Sequence, residues 1–180
     1  SSCTGTLLAP DLVLTARHCV SRLDDESVCG TILANDPPSS VRVSVGRSAS
    51  GQGIAAQGKR LFVPPGRKDV CGADLALVQL DRPIPGAKTA PLRFAPVRVG
   101  EATTAVGYGD DGSGRPTDGR FRRAGVRVLA VGPGDAAYTT AAGRTIAYDV
   151  PAGDFATGES TCFGDSGGPL FDAEGRLVGV

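Results

Sequence analysis

The stretch Gly164-Asp165-Ser166-Gly167-Gly168-Pro169 carries more information about fold and chemistry than any other part of this chain. It places one serine hydroxyl among glycines, where backbone N–H groups can approach a substrate carbonyl because no Cβ intervenes. A serine hydroxyl is a weak nucleophile at neutral pH and needs a base beside it. The stretch therefore predicts a histidine and an orienting carboxylate elsewhere in the chain.

The chain contains one histidine, His18, within the sequence LTARHC at residues 14–19. The most suitable carboxylate is Asp74, which directly precedes the apolar run Leu75–Leu80. A charge at the start of a buried strand needs a partner, and a histidine would provide one. Asp81 is the alternative, but it follows the run and precedes Arg82-Pro83, a context typical of a turn. The three groups thus occur in the order histidine, aspartate, serine.

This order and the motifs around it resemble those of the trypsin- and chymotrypsin-like serine endopeptidases. The resemblance extends along nearly the whole chain and includes Gly107-Tyr108-Gly109, similar to a glycine-aromatic-glycine run of that family. It implies a secreted endopeptidase that hydrolyses peptide bonds through an acyl-enzyme. His18 would be the base, Asp74 would orient it, and Ser166 would be the nucleophile. No cofactor is implied.

The same resemblance assigns roles around the serine. The backbone N–H groups of Gly164 and Ser166 would form the oxyanion hole. Asp165 resembles the aspartate that pairs with the new N-terminal amine after a zymogen is cleaved. Ser160, six residues before Ser166, would lie at the base of the primary specificity pocket. Because a carboxylate is needed there to bind Lys or Arg, the serine predicts an apolar or small residue before the scissile bond. The neighbouring Glu159 is expected to occupy a solvated loop.

Glycine and proline account for 26 and 13 of the 180 residues, a density that favours short strands joined by many turns. A single helical turn is predicted at residues 16–20. The pattern of apolar residues predicts an all-β protein but does not distinguish a barrel from a sandwich. The resemblance implies two antiparallel six-stranded β-barrels, at about residues 1–90 and 98–180, with the catalytic cleft between them. Short apolar or alternating runs predict strands at residues 4–8, 12–15, 41–45, 61–63, 75–80, 102–106, 122–131, 145–150, 170–171 and 177–180.

The resemblance covers only part of the family's domain. It begins just before the histidine motif and ends where a strand bordering the specificity pocket begins. The chain also starts at Ser1 and contains no methionine. We therefore expect a fragment or mature piece that lacks the start and the end of the family's domain. Because missing strands leave unpaired edges, this piece is expected to be poorly stable on its own.

The five cysteines do not have the spacing of a zinc site. The resemblance matches Cys3 and Cys19 to the pair that bridges the loop around the histidine. It matches Cys162 to a cysteine whose partner lies beyond residue 180. Cys29 and Cys71 are then left to pair with each other. Such bridges indicate an oxidising compartment, and hence an exported, extracellular protein.

Charge and hydropathy argue against several other functions. Nineteen basic and nineteen acidic residues cancel, so no nucleic-acid partner is implied. No apolar run approaches the length of a membrane span, which is about 20 residues. The acidic clusters at residues 24–26 and 110–112 are interpreted as solvated turns rather than calcium sites. The basic run at residues 120–123 is interpreted as a solvated strand edge, and Arg17 is expected to point to solvent. A metal-free monomer acting on a protein or peptide is predicted.

Two alternatives belong to other functional classes. The first is a catalytically silent homologue that binds a protein or glycan partner through the same fold. Such proteins usually lose a member of the triad, and none is missing here. The second is a structural β protein stabilised by disulfides, which would leave the three matched motifs as coincidences.

Overall fold

The computed structural model of the chain describes residues 2–24, 29–48, 53–110 and 119–180. The regular structure of these residues is almost entirely β-strand, and their helical segments are two 3₁₀ turns, Arg17–Cys19 and Pro38–Ser40. The predicted all-β class is thereby confirmed. Among the described residues, no helix has the length and apolar character needed to cross a membrane. The strands are β1 (Thr6–Ala9), β2 (Leu12–Thr15), β3 (Ser21–Leu23), β4 (Ile32–Asn35), β5 (Arg42–Val43), β6 (Ala56–Phe62), β7 (Ala76–Leu80), β8 (Ala102–Gly107), β9 (Phe121–Val131), β10 (Gly134–Thr139), β11 (Thr145–Val150), β12 (Phe155–Thr157), β13 (Leu170–Phe171) and β14 (Leu177–Gly179).

Antiparallel pairing joins these strands into two five-stranded sheets and two hairpins. The first sheet has the order β1-β2-β7-β6-β5, and the second has the order β12-β9-β8-β13-β14. The two hairpins pair β3 with β4 and β10 with β11. Strands of the first sheet lie within residues 6–80, and strands of the second lie within residues 102–179. The chain therefore forms two antiparallel β units in succession, called here the first and the second unit.

Each unit buries an apolar cluster of its own. In β7, Ala76, Val78 and Leu80 are at most 2 % exposed, whereas Leu77 and Gln79 between them are only partly buried. Successive side chains of a strand point to opposite faces, so the three buried residues share the core face. β2 pairs with one edge of β7 and β6 pairs with the other. The loop that precedes β7 is therefore held beside this core. The corresponding cluster of the second unit contains Ala105, Val126 and Leu170.

Four strands, β3, β4, β10 and β12, are not predicted by the sequence pattern. β10 begins with Gly134 and Asp135, two residue types that are depleted in strands, yet six residues of it are in register with β11. The strand predicted at residues 41–45 is only two residues long, Arg42–Val43, and pairs with the start of β6. Tertiary pairing outweighs local propensity at these positions.

Side chains also bridge the two units. The Tyr108 hydroxyl donates to the Gly46 carbonyl at 2.6 Å. The Gly72 N–H donates to Asp154 Oδ2 at 3.1 Å, just before the loop that contains Asp74. Burial raises the pKa of Asp154, although the hydrogen bond from Gly72 favours the carboxylate. The first contact connects the segment after β5 with the second unit, and the second contact does the same for the loop before β7.

Arg93 attaches the segment between the two sheets to the hairpin of β13 and β14. Its Nη1 lies 2.5 Å from Glu101 Oε1 and 3.3 Å from Asp172 Oδ2. The side chains of Arg93 and Asp172 are only 11 % and 2 % exposed. Burial raises the pKa of Asp172, but hydrogen bonds from Arg176 and Arg93 outweigh it and lower the pKa to about 2. Asp172 is therefore ionised at neutral pH and keeps the connecting segment on the second unit.

Candidate active site

The 3₁₀ turn after β2 positions His18. β2 ends at Thr15, and the turn Arg17–Cys19 follows directly. A disulfide joins Cys19, at the end of this turn, to Cys3 in the N-terminal segment, with the two Cα atoms 6.1 Å apart. The His18 backbone N–H donates to Asp74 Oδ1 at 2.9 Å. The backbone of His18 is thus fixed relative to the loop before β7.

The His18 ring contacts the other oxygen of the same carboxylate. Nδ1 lies 2.7 Å from Asp74 Oδ2, and both side chains are about one-third exposed, at 35 % and 36 %. This hydrogen bond raises the pKa of His18 from its usual 6.5, outweighing the opposing effect of burial. When Nδ1–H donates to the carboxylate, the neutral ring presents an unprotonated Nε2 on its opposite side. The arrangement provides a base whose tautomer is fixed.

The two aspartates considered in the sequence occupy different environments. Asp74 lies two residues before β7 and contacts His18 through both carboxylate oxygens. Asp81 follows β7 in an exposed turn, where it accepts from the Gln57 N–H at 2.9 Å and pairs with Arg82 at 3.0 Å. Of these two carboxylates, the structure brings Asp74 to the histidine.

Ser166 lies in a turn that packs against the histidine segment. Its carbonyl accepts from the Thr4 N–H at 2.8 Å, and Cys19 Sγ lies 3.6 Å from the same oxygen. Gly167 has a φ of +75°, and a Cβ there would overlap Thr15 Oγ1 and lie 2.6 Å from the Thr4 carbonyl oxygen. Only glycine permits both the left-handed conformation and this close approach. The serine turn and the histidine turn therefore pack against each other, although they come from different units.

Two peptide planes near Ser166 are oriented by their carbonyl groups. The Phe163 carbonyl accepts from the Asp110 N–H at 2.9 Å, and the Asp165 carbonyl accepts from the Gly168 N–H at 2.8 Å. In a trans peptide the N–H points away from the carbonyl of the same plane. The N–H groups of Gly164 and Ser166, which share these planes, are therefore directed away from Asp110 and Gly168.

Asp165 has a cationic partner that the sequence pattern does not predict. Its side chain is 4 % exposed, and Oδ2 lies 2.6 Å from Arg123 Nη1. The interpretation of residues 120–123 as a solvated strand edge is wrong for Arg123, whose side chain is only 27 % exposed. The reason is tertiary, because β9 pairs with β8 and this register brings Arg123 beside the serine turn. A basic residue at an inward-facing position of a strand can indicate a buried acidic partner. Arg123 occupies such a position on β9.

The expectation for Arg17 is also wrong. Arg17 is 5 % exposed, and its Nη1 donates to the Pro64 carbonyl at 3.3 Å. The 3₁₀ turn directs this side chain under the loop that follows β6, while the His18 ring lies on the partly exposed side. The long aliphatic part of an arginine is readily buried in this way when its head group reaches a carbonyl.

Ser160, which the resemblance assigns to the specificity pocket, and its neighbour Glu159 lie in a loop after β12. Ser160 is partly buried, and its hydroxyl lies 3.2 Å from Thr157 Oγ1. Glu159 is exposed, and its carboxylate accepts from the Ala141 N–H at 3.2 Å, beyond the end of β10. Glu159 is therefore engaged with the β10–β11 hairpin.

A second disulfide joins Cys29 to Cys71, and Cys162 is a free thiol that is partly buried. Ligand atoms of Cys3, His18 and Cys19 lie within 4.8 Å of one another, but the two sulfurs are bonded to each other and provide no thiolate for a metal. The acidic clusters considered for calcium fall mainly on residues 25–26 and 111–112, which lie outside the described residues.

Comparisons with known proteins identify the family of the chain. A sequence model of the family described as Trypsin matches residues 1–180. The chain is 28 % identical to a trypsin from Saccharopolyspora erythraea, over 99 % of this chain and 73 % of that protein. It is 32 % identical to a trypsin-like protease from Streptomyces glaucescens, over 99 % of this chain and 62 % of that protein.

Solved structures support the fold. A Glu endopeptidase in complex with MPD aligns with a TM-score of 0.60 at 22 % identity, over 99 % of this chain and 72 % of that one. Neuropsin, a serine protease from mouse brain, aligns with a TM-score of 0.61 at 19 % identity, over 97 % of this chain and 73 % of that one. The chain has the chymotrypsin-like fold and, by the match along its whole length, belongs to the trypsin family.

Proposed function

We propose that this protein is a serine endopeptidase that cleaves peptide bonds through an acyl-enzyme. The observation that supports this most directly is the pair of hydrogen bonds that Asp74 accepts from the backbone and ring of His18, at 2.9 and 2.7 Å. The base is thereby oriented within a site whose other wall is the turn of Ser166. Membership of the trypsin family makes peptide-bond hydrolysis the expected use of such a site.

In the proposed mechanism, His18 Nε2 accepts the proton of Ser166 Oγ as the oxygen attacks the scissile carbonyl carbon. The negative charge that develops on the carbonyl oxygen is stabilised by the N–H groups of Gly164 and Ser166. His18 then donates the proton to the leaving amine, and the acyl group stays on Ser166. His18 then takes a proton from a water molecule as the water oxygen attacks the ester carbonyl, and it returns that proton to Ser166 Oγ as the acid product leaves. Asp74 stabilises the imidazolium at each stage.

We further propose that the protein acts outside the cell, as a monomer, on proteins or peptides and without a cofactor. The two disulfides support an oxidising compartment. The zero net charge offers no general attraction to nucleic acid.

A fluorophosphonate probe tests the proposed nucleophile. We expect one adduct by intact mass, mapped by peptide analysis to the segment that contains Ser166. Because only neutral His18 accepts the serine proton, the labelling rate should rise with pH as the ring loses its proton. The hydrogen bond to Asp74 raises the pKa of His18, so the half-maximal rate is expected above pH 6.5.

The result also separates the enzyme from the silent homologue. No adduct on a folded protein would contradict the proposal and favour a binding function. A labelling rate that stays constant down to pH 5 would contradict the role of His18, even if an adduct formed.

Substrate preference is the second part of the proposal. With Ser160 at the base of the pocket and Glu159 engaged with Ala141, no carboxylate is assigned to recognise a basic side chain. We expect kcat/KM for peptides with Phe or Ala before the scissile bond to exceed that for otherwise identical peptides with Arg by at least about 100-fold, since an unpaired guanidinium in the pocket is costly. Equal rates for the Arg and Phe peptides would contradict this preference.

A further inference from the structure

The carboxylate of Asp154 connects the two units at a point close to Asp74. Asp154 directly precedes β12 of the second unit, and its Oδ2 accepts a hydrogen bond from the Gly72 N–H of the first unit at 3.1 Å. Gly72 is two residues before Asp74 in the chain. The proposed mechanism gives this partly buried carboxylate no part in the chemistry.

The backbone of Asp154 is anchored in the second unit. Its N–H donates to the Pro151 carbonyl at 3.1 Å, and its carbonyl accepts from the Gly132 N–H at 2.9 Å. The next residue, Phe155, pairs with Val131 at the end of β9. The carboxylate that reaches the first unit is therefore attached to a well-connected corner of the second sheet.

In the first unit, the contact is made by the turn that leads into Asp74. The Ala73 N–H donates to the Val70 carbonyl at 3.1 Å, and Gly72, at the third position of this turn, has a φ of +64°. A Cβ at Gly72 would lie 3.1 Å from the Ala152 carbonyl oxygen, so the backbones of the two units approach closely here. Because Asp74 follows the turn directly, a displacement of the turn also displaces its carboxylate.

The peptide plane between Cys71 and Gly72 is held at both ends. Its N–H donates to Asp154, and its carbonyl accepts from Arg67 Nη2. These two groups point in opposite directions in a trans peptide, so the carboxylate and the guanidinium restrain the plane from opposite sides. Burial is the main cause that raises the pKa of Asp154, and the charge of Asp74 raises it further, whereas the Gly72 N–H and the charge of Arg67 lower it.

His18 is thus positioned by two connections between the units. On one side, the disulfide of the histidine turn leads to Thr4, whose N–H donates to the Ser166 carbonyl at 2.8 Å. On the other side, the loop that carries Asp74 is connected to Asp154. Loss of the second connection would leave the serine turn in place and allow the carboxylate to move away from the base.

We infer that Asp154 is a positioning residue: by binding the Gly72 N–H across the boundary between the units, it holds Asp74 against the base. This role rests on the proposed endopeptidase function. It requires an acceptor oxygen at this place rather than a charge, because the donor is a neutral amide. A misplacement of about 1 Å can lower a rate by about 100-fold, so the loss of one such hydrogen bond is measurable in kcat.

The test compares three variants with the wild type. Asp154→Ala removes the acceptor, and Asp154→Asn removes the charge but keeps an acceptor oxygen. Asp149→Ala is the matched control, because Asp149 is an exposed aspartate on β11 of the same unit. We expect Asp154→Ala to lower kcat and the rate of fluorophosphonate labelling by at least about 10-fold, with KM changed by less than about threefold. Asp154→Asn should stay within about threefold of the wild type, and Asp149→Ala within about twofold.

The pH profile provides a readout that a general loss of stability would not change. The hydrogen bond to Asp74 is the main cause that raises the pKa of His18, the charge of Asp74 adds to it, and burial opposes both. If Asp74 moves away, burial dominates, so the labelling midpoint of Asp154→Ala should lie at least about 0.5 pH unit below that of the wild type. Asp154→Asn should keep the wild-type midpoint, which separates the lost acceptor from the lost charge.

A double variant shows whether Asp154 acts through Asp74. Addition of Asp154→Ala to Asp74→Asn should lower the residual kcat by less than about twofold, because the carboxylate to be positioned is already absent. Near-UV circular dichroism reports whether each variant is folded. If Asp154→Ala does not fold, Asp154→Ser replaces it under the same thresholds, because the serine oxygen lies one bond further from the Gly72 N–H.

Each failure has a distinct signature. The inference would be overturned by an Asp154→Ala kcat within about threefold of that of Asp149→Ala, or by equal losses in Asp154→Ala and Asp154→Asn. An unchanged labelling midpoint in Asp154→Ala, or a full further loss in the double variant, would also overturn it. In these cases Ser166 of the wild type is still labelled, and the proposed function stands. Absence of any Ser166 adduct in the wild type would overturn the proposed function and this role together.

Discussion

Replacement of Ser166 by alanine is expected to lower kcat for a peptide substrate by about 10⁶-fold, with little change in KM. The reason is that the variant keeps the binding surface and the backbone of the serine turn but has no oxygen to form the acyl-enzyme. The turn itself should persist, because its carbonyl accepts from the Thr4 N–H and Gly167 retains its left-handed conformation. Steady-state hydrolysis of an apolar peptide, measured beside the Ser166 adduct by mass, gives the result.

The matched control is Ser40→Ala. Ser40 is exposed, and its hydroxyl donates to the Pro37 carbonyl within its own 3₁₀ turn. The Ser40→Ala variant should keep the wild-type kcat. The double variant His18→Ala, Ser166→Ala should be no less active than Ser166→Ala alone, because both residues act in the same step. Additive losses, or a Ser166→Ala enzyme with more than about 1 % of wild-type kcat, would show that Ser166 is not the nucleophile.

Local patterns predict those parts of the fold in which one face of a strand is buried. The runs at residues 12–15 and 75–80 become β2 and β7, which pair with each other in the core of the first unit. The helical turn carrying His18 also occurs where it is predicted. Strands that lack a clear pattern of apolar residues are not predicted in this way. β10 and β12 owe their extended conformation to pairing with β11 and β9, respectively. Such pairing is a long-range property that a single sequence window does not contain.

The candidate site shows the same division. His18, Asp74 and Ser166 stand in motifs that are recognisable one at a time, and the structure brings His18 and Asp74 into contact. Arg123 is separated from Asp165 by 42 residues and belongs to a run of basic residues that resembles a solvated edge. Its inward orientation follows from the alternation along β9, where Arg122 is exposed and Arg123 is partly buried. The sequence thus contains the proposed catalytic groups, whereas the register of β8 and β9 determines that Arg123 is the cation beside the buried carboxylate of Asp165.

The second large effect is expected for Asp74→Asn, which should lower kcat by about 10⁴-fold at neutral pH. The amide retains the size of the carboxylate, so the backbone hydrogen bond to the His18 N–H can persist through the amide oxygen. If that oxygen serves the backbone, the amide nitrogen faces Nδ1 and donates to it. The ring is then held with its proton on Nε2, which is the atom that must accept the proton of Ser166. The loss therefore arises from the wrong tautomer rather than from a displaced ring.

The pH profile distinguishes this explanation from simple unfolding. The hydrogen bond from His18 to Asp74 is the main cause that raises the pKa of His18, and burial opposes it. With the charge removed, burial dominates, so the small residual activity of Asp74→Asn should persist to lower pH than that of the wild type. Asp81→Asn is the matched control, because Asp81 is an exposed turn residue at the other end of β7 that bonds to Gln57 and Arg82. A comparable loss in Asp81→Asn, or an unchanged acid limb in Asp74→Asn, would argue that Asp74 stabilises the loop and does not set the protonation of His18.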